Sequence, residues 1–298
     1  MENNNYRKDR VELAEFREKI FKYFFLLCAL LSILFIILIS VFIFRGGLNI
    51  FTEVGIKDFI FNTKWAPMDN PPSFGIGAFI IGSIIVTLLA SVMAIPIAIF
   101  TSVFLAVDCP KWLYKILKPA LNLMAGIPSI VYGFFALTAI VPIMRDLFKG
   151  NGMSILTASI LLLVMILPTI ISLAETSIRA VPKAFYTGSV ALGATHERSM
   201  MKVVLPAARS GIFAGIILGI GRAIGETMAV ILIAGNQPRL TFNILAGVRT
   251  MTTNIVMEMA YAYGLHQEAL IATACVLFIF ILLINISFYI FKKRSEYL

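Results

Sequence analysis

Two residues of opposite charge, Arg222 and Glu226, stand four positions apart in an otherwise apolar stretch, GIILGIGRAIGETMAVILIAG. A charge at the centre of a membrane helix costs about 2.5–3.5 kcal/mol, so such residues usually have a function or a partner. Residues four apart share one face of a helix, which predicts that the two side chains pair. A fixed cation in the membrane also indicates that an anion passes nearby. The alternative is a static salt bridge that only packs helices.

The sequence predicts one continuous helix over 211–234, with Arg222 about 17 Å from either end at 1.5 Å per residue. A side chain at that depth reaches the membrane surface poorly, so we expect it to face a polar cavity or another subunit. The same span contains glycines at four-residue spacing, which favours close packing of helices. These glycines are Gly211, Gly215, Gly219, Gly221 and Gly225.

The composition places these charges in a membrane protein. Of the 298 residues, 59% are hydrophobic and 14% are charged, and the mean hydropathy is +0.92. A soluble domain is less apolar and far more charged. The net charge of +9 could indicate a nucleic-acid partner. The basic residues instead lie in short segments between apolar runs, where membrane topology accounts for them.

Six apolar runs are long enough to cross a membrane, since about 20 apolar residues span the hydrocarbon core. They are predicted at 21–44, 76–107, 121–144, 154–174, 211–234 and 267–291. The fold class is therefore an all-α polytopic membrane protein with six transmembrane helices. The third run contains Gly126 and Pro128, so its start is predicted to be irregular.

Lys and Arg residues predict the orientation of these spans. The segments on the same side of the membrane as the N-terminus hold more than twice as many Lys and Arg residues as the segments on the opposite side. Since the cytoplasmic side carries the excess of basic residues, both termini are predicted to lie in the cytoplasm. The domains are then a cytoplasmic lead-in at 1–20, a transmembrane domain at 21–291 with a cytoplasmic loop at 175–210, and a tail at 292–298. Charge pairs in the lead-in favour a helix at the membrane surface, and a solvated charged segment is the alternative.

The cytoplasmic loop has the pattern of a short helix. Pro182 suits a helix start and Gly193 a helix stop. The residues between them include several small ones, which let another surface approach closely. The loop is therefore predicted to be either a docking site for a soluble partner or an ordinary amphipathic loop.

This loop resembles the EAA motif of ABC importer permeases, EAA-x3-G-x9-I-x-L-P. Gly193 stands at the motif glycine, and nine residues later VVLP fits the I-x-L-P positions, with Val203 in place of Ile. The segment TGS at 187–189 replaces EAA, so the acidic residue is absent. In this family the loop forms a coupling helix that inserts into a groove on a cytoplasmic ATPase. The residues assigned to that role are Thr187, Gly188, Ser189, Ala191, Leu192, Gly193, Ala194, Val203, Leu205 and Pro206.

The segment GIGRAIGETMAV at 219–230 resembles the phosphate-specific permeases of this family, the PstC type. The segment WAP at 65–67, which leads into FGIG at 74–77, is also similar to them. The resemblance covers most of the chain. It implies the type I ABC importer permease fold, and it assigns Arg222 and Glu226 to phosphate transport.

The resemblance also implies partners in the plasma or inner membrane. They are a related permease (PstA type), two ATPase subunits (PstB type) and an extracytoplasmic phosphate-binding protein (PstS type). The chain has no G-x-x-x-x-G-K-[ST] phosphate loop, so ATP and Mg are expected on the ATPase. We predict a non-enzymatic subunit without catalytic residues, cofactor or metal site. Two alternatives stay open: a permease for another oxyanion such as sulfate or molybdate, and a non-transporting scaffold that signals phosphate status.

With phosphate as the anion, the charged pair predicts an exchange of partners. Glu226 neutralises Arg222 at rest, and phosphate competes for the guanidinium when the permease opens outward. Arg suits this role because it stays protonated when desolvated and can hold two oxygens at once. Glu226 could also accept a hydrogen bond from the P–OH of hydrogen phosphate, which sulfate lacks.

The remaining ionisable residues near span ends are predicted to be interfacial or loop residues. Trp65 is predicted to anchor the outer loop at the membrane interface. The ionisable residues in question are Glu175, Glu258, Glu268, His196 and His266.

Overall fold

A computed structural model describes the backbone of residues 2–296 and the side chains of residues 17–290, and this part of the chain is mostly helical. The helices are α1 (Glu2–Glu53), α2 (Ile56–Phe61), α3 (Gly77–Val103), α4 (Lys111–Gly126), α5 (Ser129–Phe135), α6 (Val141–Phe148), α7 (Ile155–Arg179), α8 (Lys183–Ala191), α9 (His196–Ser199), α10 (Leu205–Ala207), α11 (Arg209–Gly225), α12 (Val230–Ile233), α13 (Met251–Glu258) and α14 (Leu265–Glu296). Three segments have π-helical hydrogen bonds: Phe104–Asp108, Ala136–Ile140 and Met200–Val204. A two-stranded antiparallel hairpin pairs β1 (Trp65–Ala66) with β2 (Ser73–Phe74).

Within the described residues, five helical stretches are long and apolar enough to cross a membrane. The bent pair His196–Ala207 and Arg209–Gly225, with 70° between its halves, makes a sixth if it is counted as one span. The five continuous spans are Arg17–Glu53, Gly77–Asp108, Ser129–Phe148, Ile155–Arg179 and Leu265–Ile290. The predicted all-α class and the predicted number of spans agree with this architecture.

Helix α7 packs against both α3 and α11 in the main core. Along α3, alanines at four-residue spacing are fully buried: Ala90, Ala94 and Ala98. Small side chains at this spacing let two helices approach closely. Facing them, α7 supplies large buried side chains, including Leu161, Leu162, Met165, Ile166 and Ile170. This packing fixes α7, which carries Thr169, the neighbour of Arg222, and also Glu175 and Arg179, which belong to a buried charge cluster described below.

Helix α1 lies at the periphery and packs mainly against α14. A Cβ atom added to Gly47 would lie 2.8 Å from the backbone of Ala272, so glycine is what allows this contact. The helix runs unbroken from Glu2 to Glu53, so no separate surface helix precedes the span, and it continues past the predicted limit at residue 44. Between Phe24 and Phe42, α1 is apolar apart from two serines and is almost entirely exposed, as suits a helix surrounded by lipid.

The third predicted span begins irregularly, as expected. Helix α4 ends at Gly126 and α5 starts at Ser129, with Ile127 extended and Pro128 as the N-cap residue of α5. Proline has no N–H to donate and disfavours a helical conformation in the residue before it, so the helix breaks here.

The fifth predicted span, 211–234, is not one helix. Helix α11 ends at Gly225, Glu226 is extended (φ −71°, ψ 127°), and the short α12 begins only at Val230. Glycine weakens the helix at this point, and the Glu226 side chain offers the backbone N–H groups that follow an alternative to helical hydrogen bonds. Arg222 therefore lies in the last turn of α11, whereas Glu226 lies in the extended segment that follows it.

The bundle has two ends, which carry different structures. One end carries the β-hairpin and the segment 235–264, and we call it the hairpin end. The other carries α8 and the segment 180–208, and we call it the α8 end. Helix α7 begins at the hairpin end, where the Ile155 N–H donates to the Ala246 carbonyl, and it finishes at the α8 end.

Candidate functional site

Arg222 lies in the last turn of α11, half-buried beside α7. Its Nη1 lies 3.4 Å from the hydroxyl oxygen of Thr169. Thr169 is about 21 Å along α7 from its first residue and about 15 Å from its last, at 1.5 Å per residue. The guanidinium therefore sits near mid-depth. Among the described side chains, no carboxylate lies within salt-bridge distance of it.

Arg222 borders space that the described residues do not fill. On one face of α11, Gly215 and Gly219 pack on α7, and a Cβ on Gly219 would lie 2.7 Å from Ile170. A Cβ on Gly221 or Gly225 would meet no atom within 4 Å. By their spacing, Gly225 lies about 60° and Gly221 about 100° around α11 from Arg222, so the guanidinium stands at the edge of this open face and not in its middle.

The predicted glycine repeat thus has two roles. Its first three members, Gly211, Gly215 and Gly219, form the close contact with α7 that the spacing indicates. Gly221 and Gly225 instead keep the face beside Arg222 free of side chains. That face is available either to a second subunit or to a passing solute.

Glu226 does not pair with Arg222, which corrects the prediction. Its Oε1 accepts hydrogen bonds from the backbone N–H groups of Thr227 and Ala229, each at 3.1 Å. Its own carbonyl oxygen accepts a hydrogen bond from the Thr252 hydroxyl on α13, at 3.2 Å. The pairing rule for residues four apart holds only inside one helix, and the helix ends between these two. Glu226 acts here as a cap for the turn that follows it.

The short helix predicted in the loop is present as α8, with Pro182 as its N-cap residue, so the helix begins one position after the predicted start. Its end matches the predicted stop, because Gly193 has φ +85°, a conformation that glycine adopts easily. The Gly193 N–H donates to the Val190 carbonyl and the Ala194 N–H to the Ser189 carbonyl. These two bonds form a Schellman motif, which satisfies the last carbonyls of the helix.

The ten predicted coupling residues divide into an exposed and an anchored group. Those of α8 are largely exposed, and Leu192 just after the helix is 92% exposed. In the anchored part, Val203 is half-buried and Leu205 packs against the main core, while Pro206, the second residue of α10, is exposed. The exposed members are Thr187, Gly188, Ala191, Leu192, Gly193 and Pro206, and the half-buried ones are Ser189, Ala194, Val203 and Leu205.

A buried charge cluster at the α8 end was not predicted. Glu175 on α7, expected to be an interfacial residue, has a side chain that is only 2% exposed. It accepts hydrogen bonds from Tyr114 Oη (2.8 Å), Lys118 Nζ (2.7 Å) and Arg179 Nε (2.9 Å). The bond to this carboxylate raises the pKa of Tyr114, because it stabilises the protonated phenol. We call these four residues the Glu175 cluster.

The hairpin end has a second cluster of the same kind. Glu258, also predicted to be interfacial, is buried at the end of α13 and forms a salt bridge with Arg249. Its Oε2 accepts hydrogen bonds from Trp65 Nε1 and pairs with His266 Nε2, both at 2.8 Å. Trp65 is therefore a buried hydrogen-bond donor, and His266 is a buried helix residue. We call these four residues the Glu258 cluster.

The other predicted polar loop residues have local partners. His196 Nε2 lies 3.1 Å from Asp108 Oδ1, and its Nδ1 lies 2.9 Å from the Tyr186 hydroxyl on α8. Glu268 accepts a hydrogen bond from Asn49 Nδ2 at 2.8 Å. The described residues contain no group of three His, Cys, Asp or Glu side chains that could hold a metal ion.

The spans, the broken charged helix and the helical loop that precedes it together define a membrane permease domain. Residues 94–297 match the family described as the binding-protein-dependent transport system inner membrane component, and the chain belongs to that family. It is accordingly a multi-pass membrane component of a transport system.

Relatives along nearly the whole chain are permeases named for phosphate transport or for ABC transport. The phosphate transport system permease protein PstC of Xylella fastidiosa (strain Temecula1) is 34% identical, with 86% of each chain covered. The probable phosphate transport system permease protein PstC of Methanocaldococcus jannaschii is 32% identical, over 89% of this chain and 90% of that one. The probable ABC transporter permease protein YqgH of Bacillus subtilis is 38% identical, over 90% and 89%.

Solved structures show the same fold. An inward-facing structure of the MetNI methionine ABC transporter matches with a TM-score of 0.60 at 19% identity, covering 74% of this chain and 95% of that one. A bacterial ABC transporter that imports the acidic polysaccharide alginate also gives 0.60, at 14% identity, covering 93% and 98%. The type I ABC permease fold expected from the sequence is thus confirmed.

Proposed function

We propose that this chain is the transmembrane permease subunit of an ATP-driven importer of inorganic phosphate. One observation carries the proposal: the guanidinium of Arg222 sits near mid-depth, and no described carboxylate neutralises it. A cation kept in such a place costs free energy unless it faces water, a partner or an anion. Relatives named as phosphate permeases support phosphate as that anion.

The open face beside Arg222 supports contact between the guanidinium and a solute. Gly221 and Gly225 leave space there, and the planar guanidinium can donate to two phosphate oxygens at once. Thr169 is a neutral acceptor and does not cancel the charge. In this proposal Arg222 forms a transient binding site for phosphate about halfway across the membrane.

In this proposal Glu226 has a structural role and is not the resting partner of Arg222. Its carboxylate caps the turn at Thr227 and Ala229, so it holds the chain where α11 ends. We propose that this cap keeps the last turn of α11, and with it Arg222, in position. The neutralising charge that tunes phosphate release must then come from elsewhere in the complex.

The partners follow from the same proposal. A second permease of the PstA type completes the pathway against the open face of α11, and two PstB-type ATPases supply ATP hydrolysis. Helix α8 docks on one of them, which puts the α8 end and both termini in the cytoplasm. A PstS-type receptor delivers phosphate at the hairpin end.

Uptake of radiolabelled phosphate by cells that contain the whole complex tests the proposal. Loss of one charge-assisted contact is worth about 1.5–3 kcal/mol, so Arg222→Gln should slow uptake about tenfold or more. Arg239→Gln is the matched control, because Arg239 is exposed in the loop at the hairpin end. Both variants are checked for assembly and for ATPase activity.

Normal uptake by an assembled Arg222→Gln complex would refute the role of the guanidinium. An excess of unlabelled sulfate or molybdate tests the substrate. Strong competition by either one would favour a permease for another oxyanion. Wild-type complex that binds its ATPase but imports no phosphate would favour the scaffold alternative.

A further inference from the structure

The Glu175 cluster joins α4 and the ends of two membrane spans, α3 and α7, through one carboxylate. Tyr114 and Lys118 lie on α4, and Glu175 and Arg179 lie on α7. Arg179 also donates from Nη2 to the carbonyl of Leu105 at 2.6 Å, in the π-helical segment that extends α3. The ends of α3, α4 and α7 are therefore held together at one point.

The contacts of the Glu175 carboxylate are hard to break, so the residues of the cluster stay together when one of them moves. Glu175 is almost fully buried and accepts three hydrogen bonds, two of them from cations. Charge-assisted bonds of this kind are about twice as strong as neutral ones. Separating a buried carboxylate from its cations would leave an uncompensated charge. Arg179 adds a stacking contact, with its guanidinium 4.7 Å from the Tyr114 ring centre.

Helix α8 is connected to this cluster by two routes. The first is covalent, because only residues 180–182 separate Arg179 from the first residue of α8. The second runs through side chains: the Tyr186 hydroxyl on α8 contacts His196, and His196 contacts Asp108, three residues beyond Leu105. A displacement of α8 is therefore transmitted to the end of α7 through the backbone and to the end of α3 through the side-chain contacts.

We propose that Glu175 is a positioning residue for coupling, which makes the ends of α3, α4 and α7 follow the movement of α8. The inference rests on the proposed function, since it takes α8 as the contact with the ATPase. It adds that the carboxylate converts movement of one short helix into movement of α4 and of two membrane spans, α3 and α7. Without it, the ATPase can still cycle while the spans no longer follow.

The test measures phosphate imported per ATP hydrolysed by the full complex, with receptor, in lipid vesicles. In Glu175→Gln the charge is lost, and the amide NH2 replaces one of the two acceptor oxygens, so it faces either Lys118 or the donors Tyr114 and Arg179. We expect an assembled complex with ATP hydrolysis near wild type and a transport ratio lower by about threefold or more. A role confined to folding would lower both activities together and leave their ratio unchanged.

Glu258→Gln is the matched control. It removes the charge from another buried carboxylate at the hairpin end, which likewise binds an arginine, an aromatic side chain (here through the Trp65 N–H) and a second basic side chain. We expect its transport ratio to stay at the wild-type value. An unchanged ratio in Glu175→Gln, or an equal drop in both variants, overturns the inference.

A milder variant keeps the test decisive if Glu175→Gln does not assemble. Arg179→Lys retains a cation beside Glu175 but lacks the planar group that stacks on Tyr114 and reaches Leu105. It should also lower the transport ratio, and a wild-type ratio in it overturns the inference. Failure of the proposed function looks different, because then the wild-type complex imports no phosphate or Arg222→Gln imports it normally.

Discussion

Nη1 of Arg222 lies 3.4 Å from the hydroxyl oxygen of Thr169, which gives the guanidinium a neutral neighbour on the most deeply packed helix. A carboxylate in that place would cancel the charge, whereas a hydroxyl only orients it. Helix α7 is held on both sides by α3 and α11, so the hydroxyl has a fixed position. The contact therefore orients the cation and leaves its charge available.

Replacement of this hydroxyl should weaken transport without abolishing it. Thr169→Val keeps the side-chain shape and removes an acceptor worth about 0.5–1.5 kcal/mol. We expect the maximal rate of phosphate uptake to fall about two- to tenfold. Thr176→Val on the same helix is the control, since the Thr176 hydroxyl is exposed and bonds only to the backbone of its own helix. Equal effects of the two variants would argue against an orienting role for Thr169.

Glu226 gives a prediction that separates capping from charge pairing. Glu226→Gln retains an oxygen that can accept from Thr227 and Ala229, so uptake should stay within about twofold of wild type. Glu226→Ala removes the acceptor, and loss of such a cap costs about 1 kcal/mol. We expect uptake and thermal stability both to fall in that variant. If Gln is as harmful as Ala, the negative charge itself matters and the capping role is insufficient.

The general fold was predictable because apolar run length is a local property. The spans near 76–107 and 154–174 needed only composition, and α3 and α7 occupy those places. The stop at Gly193 was predictable for the same reason, since a helix end before glycine depends on neighbouring residues alone. The break at Pro128 belongs to this group as well.

The charged sites were less predictable because they depend on tertiary contacts. Lys118 meets Glu175 although 57 residues separate them, and Trp65 meets Glu258 across 193 residues. No spacing rule relates such positions. The one local signal was Glu175 followed four residues later by Arg179, an arrangement that favours pairing on a helix. The pairing of Arg222 with Glu226 failed for the opposite reason, since that rule assumed a helix that does not continue.

Two glycines on α11 should respond oppositely to the same substitution. A Cβ at position 219 would lie 2.7 Å from Ile170, so Gly219→Ala should overpack the contact with α7 and destabilise the subunit by about 1–3 kcal/mol. Gly221→Ala meets open space and should leave stability unchanged or raise it by about 0.5–1 kcal/mol. Thermal unfolding of the detergent-purified subunit measures both. Equal loss of stability in the two variants would contradict the described packing of α11 on α7.

The last prediction concerns the exposed apolar residues in and just after α8, the proposed contact with the ATPase. Phe185, Val190 and Leu192 are 51%, 42% and 92% exposed. Exposed apolar side chains are unfavourable in water, but they suit an interface with another protein. Leu192→Asp places a charge where an apolar partner surface is expected. Loss of a central contact typically costs at least about 2 kcal/mol, so ATPase binding should weaken about tenfold or more.

Co-purification of the ATPase with the tagged permease, quantified over a range of ATPase concentrations, measures this effect. Leu240→Asp is the control, because Leu240 is exposed in the loop at the hairpin end, away from α8. That variant should bind the ATPase as the wild type does. Since Leu192 lies at the exposed end of α8 and touches no core, its replacement should leave the thermal stability of the subunit unchanged. Normal ATPase binding by Leu192→Asp would show that the ATPase docks elsewhere, and the orientation proposed from α8 would lose its support.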